Sequence, residues 1–300
     1  MGSDNFFQRI RQPGSPYQLA AFRIAVGAQI FYAAHSKIFD LLLVVGARQE
    51  VDTIFPQAMD DYITAYLVPS LILICKVLSG FLIVGLLTRI ILPLLTLAFT
   101  LLFSYYYLGV NAPIHWLYLW FPLIVLCFAD SARVLSIDSL LLKGRDIHDP
   151  QQYRWPVEMC RLWFVYIYFS AGLAKIFPII KGITWIYGTT SKEIVYYRFL
   201  ESPFFYIFGK PFFDYASTVW IFTLLSVLAL LIELSTIVIL FTSKYNLVVL
   251  VLVLCMHMFL YLTGVAGFMQ TAIVLGITLL PVGWFTWRSN AVMADNVGVK

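Results

Sequence analysis

The sequence predicts an all-α, polytopic integral membrane protein, a helical bundle of about eight transmembrane helices with both termini cytoplasmic. Three observations predict it. Hydrophobic residues make up 61% of the 300 residues and charged residues 12%, against ~45–50% and ~25% in ordinary soluble domains. The apolar residues fall into stretches near the ~20 needed for a helix to cross a bilayer. Lys and Arg gather more in one alternate set of connecting loops than in the other, the asymmetry that orients membrane proteins.

The predicted spans are 17–36, 69–87, 89–109, 114–130, 156–179, 217–241, 245–263 and 265–287. They occupy residues 1–300 as a single transmembrane domain and leave no room for a second sizeable soluble one. With the N-terminus cytoplasmic, that side receives Arg9, Arg11, Arg89, Arg133, Lys143, Arg145, Arg154, Lys244, Arg288 and Lys300. The other side receives Lys37, Arg48, Lys181, Lys192, Arg198 and Lys210. Residues 40–68 mix Arg48, Glu50, Asp52, Asp60 and Asp61 with apolar positions, which predicts an interfacial helix. Residues 180–216 carry Trp185, Tyr187, Tyr196, Tyr197 and several phenylalanines. Such a loop either lies on the membrane as a lid or forms a plain aromatic belt at headgroup level. The net charge of +4 shows no nucleic-acid footprint. The four cysteines, Cys75, Cys127, Cys160 and Cys255, sit in apolar runs without metal or redox spacing and read as small core residues. No phosphate-binding glycine loop, HExxH or Cys-x-x-Cys is present, so neither nucleotide nor metal chemistry is indicated.

Ionisable residues at membrane depth are costly and mark candidate functional sites. They are Arg23 in the first span, Lys76 in the second, His115 opening the fourth, Lys175 near the end of the fifth, Glu233 in the sixth and His257 in the seventh. Lys175 lies in Val165-Tyr-Ile-Tyr-Phe-Ser-Ala-Gly-Leu-Ala-Lys175 with no acidic residue nearby in sequence. It is either a lysine kept from water and fit to act as a base, or one that snorkels to the interface. The predicted orientation puts Lys175, His115 and His257 at similar depth on the non-cytoplasmic side. His115 can equally be an interfacial histidine beside Trp116, and His257 a buried, hydrogen-bonded one. Glu233 and Arg23 can form a structural ion pair. On the Lys175 helix, Tyr168, Gly172 and Lys175 share one face by i, i+4, i+7 spacing, and Gly172 admits a close backbone or a flat ligand.

Ala171-Gly-Leu-Ala-Lys175, followed by Trp185 and Gly188, resembles the active-site lysine region of the vitamin K-dependent γ-carboxylase family. That family includes bacterial relatives called horizontally transferred transmembrane (HTTM) domain proteins. His115-Trp-Leu-Tyr with Asp130 and Ser136-Ile-Asp138 resembles the family's active-site histidine segment. Phe22-Arg23-Ile-Ala-Val-Gly27 and Gly85-Leu-Leu-Thr-Arg89 are similar to its first helices. Glu233 falls at an acidic position, and His257 with Gly267-Phe-Met269 is similar to the segment near the family's end. The resemblance covers nearly the whole chain.

It implies a membrane enzyme in which Lys175 is the catalytic base on a reduced naphthoquinone and His115 stabilises a carbanion. Tyr168, Gly172, Trp116, Trp185, Glu233, His257 and Arg23 would then line the substrate and cofactor site. The implied cofactor is a vitamin K-like hydroquinone, with O2 and CO2 as co-substrates. Oxygen turns the hydroquinone anion into a stronger base, which removes a glutamate γ-proton, and carbon dioxide traps the carbanion. Such a base needs a site poor in water. The resemblance also implies a bacterial inner (plasma) membrane, with membrane lipid, quinone and a small secreted peptide as partners. The chain ends at Lys300 without the carboxylase's extended lumenal region, so the quinone-handling core is expected and carboxylation of a protein substrate is less so. The alternative is a non-catalytic membrane partner in maturation, export or immunity of a small secreted peptide.

Overall fold

The computed structural model describes residues 5–35, 62–109, 117–141, 150–176, 192, 200, 202–210, 219–263 and 269–285. Among them every regular element is helical. Among the described residues three helical stretches are long and apolar enough to cross a membrane: Ala65–Val84, Thr88–Tyr105 and Trp220–Phe241. The coarse expectation of a helical membrane protein therefore stands. The chain divides into two compact units, residues 10–160 with 281–300 and residues 1–9 with 161–280.

The first unit contains α2 (Pro16–His35), α3 (Val68–Val84), α4 (Thr88–Gly109), α5 (Leu117–Phe128) and the short α6 (Ile137–Leu141). A single turn of π-helix, Ile63–Leu67, leads into α3. Pro16 opens α2 at the first helical position, where its missing N–H costs nothing. Gly27 lets α2 and α3 cross closely: a Cβ there would stand 3.0 Å from Ile83 Cγ1. Gly85 ends α3 in the left-handed region, φ 68°. The amides of Gly85 and Leu86 donate back to Leu82 (3.2 Å) and Phe81 (3.1 Å), the paired bonds of a glycine-terminated helix. The first amides of α4 are taken by one side chain: Leu87 N and Thr88 N donate to the Asp138 carboxylate at 2.7 and 2.8 Å. Polar side chains tie α4 to α5, with Trp120 Nε1 donating to Thr100 Oγ1 at 2.9 Å, a kind of interhelical contact that membrane helices use.

The second unit contains α1 (Phe6–Arg9), α8 (Pro203–Phe208), α9 (Val219–Ser235), α10 (Val238–Phe241), α11 (Asn246–Leu262) and α12 (Met269–Gly276). The helix α7 (Arg154–Ile176) begins in the first unit, and its residues from Arg161 on belong to the second. The predicted span 217–241 is interrupted: α9 ends at Ser235, and after a turn at Thr236-Ile237 α10 resumes. The predicted span 265–287 is likewise shorter, as α12 passes into a 3-10 turn at Ile277–Leu279.

Large apolar side chains point outward along α3 (Leu73, Ile74, Val77, Phe81) and along α9 (Trp220, Leu224, Leu228, Leu231). A helix apolar on its outer face as well as its inner one has hydrocarbon for a solvent. Cys75 and Cys160 are buried as expected, but Cys255 is exposed on α11. Within 180–216, α8 shows Tyr206, Ile207 and Phe208 exposed. Residues 36–61, and with them most of the stretch 40–68 expected as an interfacial helix, lie outside the described residues; its end, from Ile63, is helical.

Candidate functional site: a Lys175–Glu233 pair beside Tyr168–His257

The second unit brings four of the candidate residues together. Lys175 stands in the last turn of α7, and its Nζ donates to both carboxylate oxygens of Glu233. Seven residues earlier, the Tyr168 hydroxyl lies 2.8 Å from Nε2 of His257 on α11. The two rings also meet edge to face, with centroids 5.6 Å apart. Tyr168 and His257 are 4% and 5% exposed, so the hydrogen bond is sealed from water. The shared face read from i, i+4, i+7 spacing is thus real: Tyr168, Gly172 and Lys175 all turn toward α9 or α11.

Gly172 is used differently from one of its expected roles. A Cβ there would stand 3.0 Å from Leu234 Cδ2 and 3.2 Å from Glu233 Cβ. The notch is filled by α9, so it is a site of helix approach and leaves no space for a flat ligand. The close approach is what delivers the Glu233 carboxylate to Lys175.

One further expectation, an Arg23–Glu233 ion pair, is corrected: Glu233 is taken by Lys175 within its own unit, and Arg23 is taken by backbone carbonyls within its own. Arg23 is fully buried and donates to the carbonyls of Ser131 (3.0 Å) and Leu135 (2.6 Å). It holds the 131–138 segment against the turn at Gly85. Lys175 meets α9 at Glu233, within the apolar stretch Trp220–Phe241. Its counter-charge comes from another helix, which the sequence around Lys175 does not display.

His115, Trp116 and Trp185 lie outside the described residues. Sequence reasoning missed the charged start of α7. There Arg154 pairs with Glu158 at 2.9 Å, the two side chains 7% and 0% exposed. Arg161 donates from Nε and Nη2 to the carbonyl of Thr278, and Arg9 from Nη2 to that of Ile239 at 2.8 Å. The i, i+4 spacing of Arg154 and Glu158 was the available signal, since oppositely charged residues at that spacing face each other. Among the described residues no cluster of His, Cys, Asp and Glu is arranged to hold a metal ion.

Chemically, the site offers an amine hydrogen-bonded to a carboxylate, a phenolic hydroxyl and an imidazole, all on helices within one unit. No family model, curated protein or solved structure matches the chain.

Proposed function

We propose that the chain is a membrane-embedded enzyme of the vitamin K-dependent γ-carboxylase type, with eight spans and both termini cytoplasmic. It accepts a lipid-soluble hydroquinone, deprotonates it through Lys175, and modifies a peptide substrate from the non-cytoplasmic side. The observation that carries this reading is the Lys175 amine held on Glu233 within an apolar span. A lysine is placed there at a cost, and proton abstraction in a water-poor site is a use that offsets it.

The donor set suits a hydroquinone. Lys175 supplies a proton-accepting amine once its proton is passed on, and its side chain, 19% exposed against 9% for Glu233, is the member of the pair that a ligand reaches. Because α9 fills the Gly172 notch, the ring would bind elsewhere around the amine. The hydroquinone itself supplies an ionisable hydroxyl and, with oxygen, reducing equivalents. Glu233 fixes the position of the amine, and the packing around Tyr168 and His257 excludes water. His115 would act at the peptide, as the resemblance implies.

The test is turnover. Protein reconstituted in lipid nanodiscs receives reduced naphthoquinone, oxygen, labelled bicarbonate and glutamate-containing peptide, and mass spectrometry follows the oxidised quinone and the labelled peptide. Turnover lost in Lys175→Met supports the reading; turnover unchanged in that variant overturns it.

A second reading is favoured by the same ion pair. An amine neutralised by Glu233 is also what a purely structural bridge looks like. On that reading the chain is a non-catalytic membrane partner in maturation, export or immunity of a small secreted peptide. It predicts no quinone turnover under any of these conditions.

A further inference from the structure

We propose that Lys175 and Glu233 act as one two-site base, in which the substrate's proton enters at the amine while a proton already on the amine moves to the carboxylate. This rests on the hydroquinone reading above and deepens it.

The geometry has three parts. Both carboxylate oxygens accept from Nζ, so a proton can cross from nitrogen to oxygen without either side chain turning. The exposures order the pair. Lys175 is the outer member and Glu233 the inner, and Glu233 is pinned by the contact that α9 makes at Gly172. A ligand therefore meets the amine first, with the carboxylate behind it. The helix ends supply the third part. Lys175 lies in the last turn of α7, where the macrodipole favours a cation. Glu233 lies in the last turn of α9, where the macrodipole does not favour an anion. The end of α7 thus keeps Lys175 as an ammonium, and the end of α9 lowers the cost of placing a proton on the Glu233 carboxylate.

The step balances. At rest the pair is ammonium and carboxylate, neutral in sum. One N–H bond of Lys175 breaks first, its electron pair staying on the nitrogen, and that proton forms an O–H bond on Glu233. The hydroquinone O–H bond then breaks, its electron pair stays on the oxygen, and its proton forms an N–H bond at the freed nitrogen of Lys175. The site then holds a ligand anion, an ammonium and a neutral carboxyl, and its net charge is unchanged. Lys175 alone, paired to an ionised Glu233, has no place for a further proton. Glu233 is in this sense a positioning residue that acts through Lys175.

The experiment is infrared difference spectroscopy on the full chain in nanodiscs, under argon, with reduced 2-methyl-1,4-naphthoquinone as probe and tryptophan quenching to register its binding. The expected result is a new protonated-carboxyl band on binding that shifts with carboxyl-13C-glutamate labelling and is lost in Glu233→Gln. In Glu233→Asp the band no longer follows the glutamate label, which keeps the test usable if Glu233→Gln does not fold. Turnover in Glu233→Gln should fall about 100-fold in kcat, with KM for the hydroquinone little changed. Probe that binds without raising the band overturns the two-site base and leaves Lys175 as the sole candidate. Probe that does not bind overturns the hydroquinone reading, and the two-site base falls with it.

Discussion

Lys175 and Glu233, separated by 58 residues in sequence, join the last turn of α7 to the last turn of α9 through both carboxylate oxygens. Their side chains are 19% and 9% exposed, so the pair is screened less than a surface bridge. Removing one member of such a pair leaves an uncompensated charge, at a cost of about 3 kcal/mol. Lys175→Met and Glu233→Leu should each lose about that much in denaturant titrations of the purified protein. The double variant should lose less than the sum, with a coupling of about 1–3 kcal/mol. Strictly additive losses would show that the two groups do not support each other.

Gly172 makes the pair possible by letting α9 come close. An alanine needs Leu234 and Glu233 to give by a few tenths of an ångström, so Gly172→Ala should cost about 1 kcal/mol. Gly172→Leu cannot be absorbed that way and should push α9 off. The informative measurement is the Lys175/Glu233 coupling repeated in the Gly172→Leu background. It should vanish there, and its survival would mean that the ion pair forms without the close approach.

The Tyr168–His257 bond is buried on both sides. Tyr168→Phe strips Nε2 of that contact, at about 1–3 kcal/mol, whereas an apolar pair in the same space is close to neutral. Tyr168→Phe combined with His257→Leu should therefore recover part of the stability lost by Tyr168→Phe alone, read from the same titrations. A double variant worse than both singles would show that His257 holds the unit together through other contacts.

The membrane helices were legible because a run of apolar residues near the thickness of the bilayer is a one-dimensional signal. The face shared by Tyr168, Gly172 and Lys175 was legible because it depends on the helical repeat alone. Glu233 as the partner of Lys175 was not, since pairing across helices depends on which notch faces which. Arg23 illustrates the same limit. Both it and Glu233 stood out as charges at depth, and joining them was the economical guess. In the folded chain Arg23 instead serves backbone carbonyls in a turn whose leucines take an unusual conformation. Nothing in local sequence announces that a turn will need a buried guanidinium.

Leu87 and Leu135 both adopt positive φ, 49° and 50°, at the turn that Arg23 and Asp138 hold together. Leucine pays about 1–2 kcal/mol in the left-handed region, and both side chains are 56% exposed, so little packing is at stake. Glycine relieves the strain and gives back about 0.5–1 kcal/mol in unfolded-chain entropy. Leu87→Gly and Leu135→Gly should each stabilise by up to about 1 kcal/mol. Asp138→Ala, which strips the carboxylate from Leu87 N and Thr88 N, should instead destabilise by about 1 kcal/mol. A glycine variant less stable than wild type would show that the leucine side chains themselves hold the turn.

Orientation rests on the unequal distribution of Lys and Arg between the two sets of loops. Of the residues assigned to the cytoplasmic side, Arg9 and Arg154 are buried on Ile239 O and Glu158, which narrows the exposed positive charge there without reversing the bias. Arg11 and Arg89 remain exposed and keep the count in favour of cytoplasmic termini. Fusions read this directly. A fluorescent protein after Lys300 should fold and fluoresce in cells, and alkaline phosphatase at the same place should stay inactive. Phosphatase placed after Lys210, beside the exposed aromatic residues of α8, should be active. Active phosphatase at both Lys210 and Lys300 would leave an even number of spans between them, and the helix that fails to cross would be sought first at α12, the short helix that ends at Gly276.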